Sequence, residues 1–139
     1  MKTRLYWLLT IAAMMGVIAC GPDPSGDDDD DNIPIDNFEQ IQLQILTPSC
    51  TFSSCHGAAL PAGSLSLLEG DSCDALINVP STQVSLDRVE PGDPSTSFLY
   101  QKMVGPVAFG TLMPPPNGGM SQEKIDALFD WITDGAVCP

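Results

Sequence analysis

Residues 48–57 read PSCTFSSCHG: two cysteines, Cys50 and Cys55, with His56, the only histidine of the chain, directly after the second. Two chemistries suit such a cluster. In the first, both sulfurs form thioethers to a porphyrin and the adjacent imidazole ligates its iron; this is the c-type haem arrangement, whose usual signature is Cys-x-x-Cys-His. Two intervening residues bring both sulfurs to one side of a helical turn. Here four residues, Thr51 to Ser54, intervene, and in a regular helix an offset of five turns the second sulfur well away from the first. The segment must bulge for both sulfurs to meet one porphyrin, and attachment through a single thioether is conceivable. In the second chemistry a turn closes the same offset, and Cys50 and Cys55 bridge each other as a disulfide.

A low-spin haem that carries electrons needs a second axial ligand. With no other histidine, methionine is the natural candidate. Met113 lies in GTLMPPPNGG, where the neighbouring prolines limit how far its sulfur can wander. Met103 falls on an expected helix face and Met120 immediately precedes the last expected helix, so both fit core packing better. The chain has five cysteines. Setting Cys20 apart, the remaining four (Cys50, Cys55, Cys73 and Cys138) admit two disulfides in three possible pairings in an oxidising compartment. Their spacings match no common zinc signature.

The order of pieces along the chain is ILTPSC, CHG, GSLSL, RVEPGDPSTSFLYQKM, LMPPP, MSQEKIDALFDWITDGA. This order resembles the small cytochrome c-like domains of bacterial exported proteins, especially the modules called planctomycete-type cytochrome c domains. The resemblance spans residues 38–137. It implies a mainly α fold, a small cytochrome c-like domain whose N- and C-terminal helices pack together with long Pro/Gly-rich loops. It implies covalent haem c and its iron as cofactor, Cys50 and Cys55 as the thioether cysteines, His56 as proximal ligand and Met113 as distal ligand. The cysteine spacing is where the chain departs from the family's pattern. Cys73 and Cys138 are extra to that pattern; with the first pair taken by haem, they can form one disulfide, worth about 2–4 kcal/mol. Arg88, just before PGDP, either meets a haem propionate or forms a surface ion pair with Asp87 or Glu90. Trp131 belongs at the helix–helix contact or the haem edge, ordinary core being the simpler reading.

The elements that must position these groups are few. Asp36 can cap a helix, with Glu39 closing a capping box. Phe38, Ile41 and Ile45 then recur at helical spacing, and Pro48 is expected to stop the helix just before Cys50. At the other end Ser121 is a cap and Glu123 an acid in the first turn, where the helix dipole favours it. Ile125, Leu128, Phe129 and Ile132 form one stripe, and Gly135 can end the helix in the left-handed conformation. The two end helices are expected to cross and close the core. Between them, AGSLSLLEGD suggests a short extended piece, and residues 72–79 a short helix through Ala75, Leu76 and Val79. Asp93-Pro94 marks another helix start, with Phe98, Leu99, Met103 and Val104 as its buried side and Gly105 as its end. Residues 105–120 hold four prolines and four glycines, which excludes helix or central strand there. A domain with so few long elements gains from a buried cofactor or a cross-link.

The head of the chain points to export. Lys2 and Arg4 precede the apolar run Leu5 to Ile18, the layout of a secretory signal peptide. Val17-Ile18-Ala19-Cys20 resembles the lipobox of bacterial lipoproteins, which implies cleavage before Cys20 and lipidation of its sulfur. The alternative is a plain signal peptide, with Cys20 an odd thiol. The expected organisation is a signal peptide at 1–19, a lipid anchor and acidic linker at 20–37, and the folded domain at 38–139. The linker carries five consecutive aspartates, which repel one another and lack the glycine and distal glutamate of a calcium loop. Without Lys2 and Arg4 the basic residues fall from 5 to 3, and against 18 acids the charge is −15. So acidic a chain excludes nucleic acid as partner and polybasic attachment to anionic lipid, leaving acyl chains to hold it to the membrane. Gly21 stands where an inner-membrane retention aspartate is common, which favours the outer membrane, with the domain in the periplasm or at the cell surface.

The expected function is therefore a lipid-anchored electron carrier rather than an enzyme, since no nucleophile–base pair or paired carboxylates stand in a recognisable setting. Its acidic surface would steer a basic redox partner. Two alternatives remain open. One is a non-haem envelope lipoprotein of the same fold, with Cys50–Cys55 and Cys73–Cys138 disulfides, acting in binding or structure. The other is a peroxidase or gas sensor, in which Met113 is off the iron or displaceable.

Overall fold

Asn37 opens the first helix. The structure, a computed structural model, describes residues 34–105, 110–116 and 118–139, which lie in one unit, Ile33–Pro139. The leader, Cys20 and the linker up to residue 33 lie outside the described residues. Ile35, near the end of the expected linker, packs on the core. No helix among the described residues is long and apolar enough to cross a membrane.

Asn37 takes an extended conformation and its Oδ1 accepts from the Gln40 N–H at 3.0 Å. The cap is thus Asn37 and not Asp36, which instead accepts from the Asn37 side chain. Shifting the start by one residue puts Glu39 at the second helical position, where it cannot close a capping box. Helix α1 (Phe38–Ile41) runs through a π-helical stretch (Gln42–Leu46) into α2 (Thr47–Cys50). Pro48 does not stop the helix. The π stretch ends with the Thr47 N–H bonded to Gln42 O, and Pro48, which has no N–H to give, falls in the first turn after this change of register, where none is needed.

Gln42 explains why the register changes here. Its side chain is buried; Nε2 donates to Thr47 Oγ1 (3.0 Å) and Leu67 O (3.1 Å), and Oε1 accepts from Ser72 Oγ. These bonds tie the helix to the segment after the Cys-His corner and to α3 (Ser72–Leu76). The expected helix over 72–79 ends at Leu76. Residue 79 precedes a proline, which disfavours helix, and the chain instead makes a parallel bridge Ile77–Val89 and an antiparallel bridge Pro80–Asp87. The expected extended piece in AGSLSLLEGD is a 3-10 turn (Ala62–Ser64) followed by Leu65 in extended conformation.

Asp93 and Pro94 open a 3-10 turn (Pro94–Thr96), Asp93 Oδ1 accepting from the Ser95 and Thr96 amides. Ser97, extended and fully buried, separates this turn from α4 (Phe98–Val104), which ends at Gly105 with φ 65°. Phe98 and Met103 are buried as expected, but Val104 is exposed and Lys102 is buried in its place. Lys102 lies four residues after Phe98, on the same face of the helix.

The last helix, α5 (Gln122–Thr133), is capped by Ser121 Oγ, which accepts from the Lys124 N–H. It ends in a Schellman motif: Gly135 at φ 100° donates to Ile132 O and Ala136 to Trp131 O. Its buried stripe is Leu128, Trp131 and Ile132 rather than Phe129, which is 42% exposed and rests on the Tyr100 ring. The end helices do pack together. The Phe38 and Trp131 rings meet at 5.4 Å between centroids, and Trp131 Nε1 donates to Val137 O. Trp131 is thus at the helix–helix contact. Cys73 and Cys138 form a disulfide, Cα to Cα 6.2 Å, tying α3 to the tail after α5. The described fold is mainly helical with isolated bridges only.

Candidate functional site

The helix stops at Cys50, and the four-residue spacing is taken up by a closed corner. Cys55 N–H bonds back to Phe52 O (2.8 Å) and His56 N–H to Cys50 O (3.0 Å). The His56 carbonyl accepts from Leu67 N–H (3.0 Å) and the Cys55 carbonyl from Ala62 N–H (3.1 Å). Gly57 makes the corner possible: a Cβ at this position would run into the Thr51 carbonyl. The glycine of CHG is therefore required by a close approach of two backbone segments.

The His56 ring is oriented from outside the motif. Its Nδ1 lies 3.0 Å from Leu65 O. A carbonyl oxygen can only accept, so Nδ1 carries a proton, and in the neutral ring the lone pair is on Nε2. This is the tautomer of a metal-ligating histidine, whose other nitrogen commonly donates to a backbone carbonyl or carboxylate.

Cys50 and Cys55 are thiols, not bonded to each other. Both are half-buried. Burial pushes the Cys50 thiol from the ordinary value of 9.0 up to about 11, and the charge of neighbouring Cys55 adds to the shift. Ser54 Oγ lies 3.7 Å from the Cys55 sulfur.

Cys50, Cys55, His56 and Met113 all line one cleft of about 250 Å³. Its apolar wall comes from Leu65, Leu67, Leu76, Phe98, Leu99 and Met103. Met120 also reaches it, so three methionines border the space. Met103 is buried among core residues. Met113 is half-buried, in a loop whose main chain is tied to α4 by the bond from Met113 N–H to Lys102 O, 2.7 Å.

Arg88 lines the same cleft, but not as a surface ion pair with Asp87 or Glu90. Its guanidinium donates to Ala75 O (2.8 Å), Ser64 O (3.2 Å) and Gly63 O (3.4 Å). The guanidinium thus bridges the 3-10 turn Ala62–Ser64 and α3, a planar fork with several donors satisfying these carbonyls at once. Trp131 does not line the cleft. Among the described residues no three His, Cys, Asp or Glu side chains come together to hold a metal ion; the donors at the cleft are an imidazole, thiols and thioethers.

Two contributors were missed from the sequence. Leu65 supplies the carbonyl that orients His56, and no pattern marks a backbone acceptor nine residues away. Lys102 lines the cleft from α4; its four-residue spacing from Phe98 was the available signal. Comparison with protein-family models, curated proteins and solved structures finds no match to this chain.

Proposed function

We propose that the chain is a c-type haem-binding electron carrier with a cytochrome c-like domain. The carrying observation is the sorting of its chemistry: Cys73 and Cys138 bridge each other, while Cys50 and Cys55 stay as thiols in one cleft with His56 and Met113. This donor set suits a porphyrin. Cys50 and Cys55 would attach it, and His56 Nε2 and Met113 would hold its iron. When bound, haem supplies a one-electron ferrous–ferric couple, whose potential methionine ligation and burial raise.

The chain's own residues do the rest. The Leu65 carbonyl fixes the imidazole, the apolar wall excludes water from the metal's surroundings, and the bond from Met113 N–H to Lys102 O restrains the distal loop. With a charge of −15 after loss of the leader (3 basic, 18 acidic residues), the surface favours a basic redox partner through salt-dependent steering. Lipid on Cys20 would hold the domain to the cell envelope, in the periplasm or at the surface, with the acidic segment as spacer.

The corner that folds the chain back on Cys50, closed by the bond from His56 N–H to Cys50 O, favours a second reading, in which Cys50 and Cys55 oxidise to a disulfide and the protein is a non-haem binding or structural module. One experiment separates them. The full chain is expressed with a haem-maturation system and then denatured. Haem retained on the polypeptide is the expected result, and replacing Met113 by alanine should then abolish the low-spin spectrum. Haem released on denaturation, with Cys50 and Cys55 found bridged by mass spectrometry, rejects the electron carrier and leaves the second reading.

A further inference from the structure

We infer that Lys102 is the positioning residue of the Met113 loop, gripping residues 110–113 through its main chain and its side chain at once. Three contacts converge on it. Its carbonyl accepts from the Met113 N–H at 2.7 Å, its ammonium donates to Thr111 O at 3.1 Å, and the loop passes so close at Gly110 that a Cβ there would lie 2.9 Å from Nζ. Gly110 has φ +73°, a conformation open to glycine and costly for other residues. The loop therefore passes the ammonium at a residue that has no side chain to collide with it.

The place of Lys102 in α4 explains why it can do this. It sits in the helix's last turn, where carbonyls lack intrahelical partners and a cation is favoured by the dipole. The Met113 N–H fills one of those empty positions. The side chain is buried, and Nζ lies 5.2 Å from the centroid of the Phe98 ring beneath it, a cation–π contact that gains strength as water is excluded. A hydrogen bond from a charged donor to a carbonyl is roughly twice as strong as a neutral one. Lys102 also lines the cleft, so the residue that holds the loop borders the same space as Met113. Burial lowers the pKa of Lys102; contact with a carbonyl and a ring face offsets the loss of water around the ammonium.

The clasp itself concerns the polypeptide; only its consequence at iron rests on the haem reading. The test is amide hydrogen exchange on the full chain as isolated, comparing native protein with Lys102→Met and with Gly110→Ala. The first removes the donor but keeps an apolar stem; the second leaves the lysine intact and disturbs the loop from its own side, by the strain of its positive φ and by the approach to Nζ. Both should speed exchange at the Met113 amide by roughly tenfold or more, the effect of losing a charge-assisted bond, and leave the Ile132 amide in α5 within threefold. Lys102→Arg, which retains a cation, should restore part of the protection. In haem-loaded protein Lys102→Leu, which adds no sulfur to the cleft, should also lose the low-spin spectrum. Met113 exchange that is unchanged in Lys102→Met, or raised equally at Ile132, overturns the clasp whatever the haem result. Haem lost on denaturation, with Met113 exchange raised selectively, upholds the clasp and removes only its role at iron.

Discussion

Replacing both Cys73 and Cys138 by serine tests the cross-link that holds the tail of the fold to its middle. The two are 65 residues apart in sequence. In the chain-entropy account, the loss of entropy in the unfolded state is 2.1 plus 1.5R ln n cal/mol/K; for a loop of this length that is about 15 cal/mol/K, or about 4 kcal/mol at 25 °C. The loop so closed contains Arg88, α4 and Met113, most of one side of the cleft. For a domain of this size each kcal/mol shifts the melting temperature by roughly 4 °C or slightly more, so the double variant should melt some 15–20 °C lower. The measurement is urea and thermal unfolding in a Cys50→Ala, Cys55→Ala background, which prevents exchange with the free thiols. A stability loss below about 1 kcal/mol would refute the argument, because it would mean the tail is already held by the contacts of Trp131 and the Schellman end.

Three further outcomes are expected. At pH 8 native Cys50 should react with iodoacetamide roughly tenfold more slowly than in the urea-unfolded chain, since a thiol at about 11 is far less ionised, a deficit only partly offset by the greater nucleophilicity of its thiolate; equal rates by mass spectrometry would contradict its burial. The same shift is a stability term with a definite sign: native Cys50 keeps its proton where the unfolded chain has lost it, so stability is full below pH 9 and falls between 9 and about 11, by up to about 3 kcal/mol, and Cys50→Ala should lack that part of the decline in unfolding titrations. Gly57→Ala should destabilise the fold by about 1–3 kcal/mol, because the added methyl meets the Thr51 carbonyl, and on the proposed haem reading it should also cut haem yield; wild-type stability would show that the corner is not closed as described.

The ends of the fold were legible because capping is local chemistry. Ser121 and Gly135 bracket α5 as their types require, and the expected contact of the end helices is present in Phe38 and Trp131. Errors arose where distant groups decide. Asn37 displaced Asp36 as cap by a single residue, a difference set by which backbone turns extended. Pro48 reads as a stop, and only the bonds of Gln42 to Leu67 and Ser72 reveal why the helix passes it. Phe129 and Trp131 are both large and apolar; the partner ring of Phe38 selects the second for the interior. At the site, the cluster of Cys50, Cys55 and His56 was legible as residue types at short spacing, and Met113 as a sulfur in a stiff loop. The grip of Lys102 on that loop was not, because a lysine in an amphipathic helix ordinarily marks the solvent side.

The unusual cysteine spacing acquires a physical meaning from these bonds. In the common signature a helical turn places both sulfurs and the imidazole together, so the motif positions itself. Here the helix has ended by the second cysteine, and the chain must set the histidine by other means. Gln42 holds the Leu67 carbonyl, Leu67 N–H holds the His56 carbonyl, and the Leu65 carbonyl holds the His56 ring. The orientation of the imidazole thus passes through a hydrogen-bonded path that begins in the π stretch of the first helix. A π turn widens the helix by one residue and re-aims the side chains beyond it, a device frequent beside functional sites. On this view the π stretch and the four-residue spacing are two parts of one arrangement: Gln42 opens the first and bonds from it to Leu67 O, and the second gives the corner enough chain to fold back and meet it.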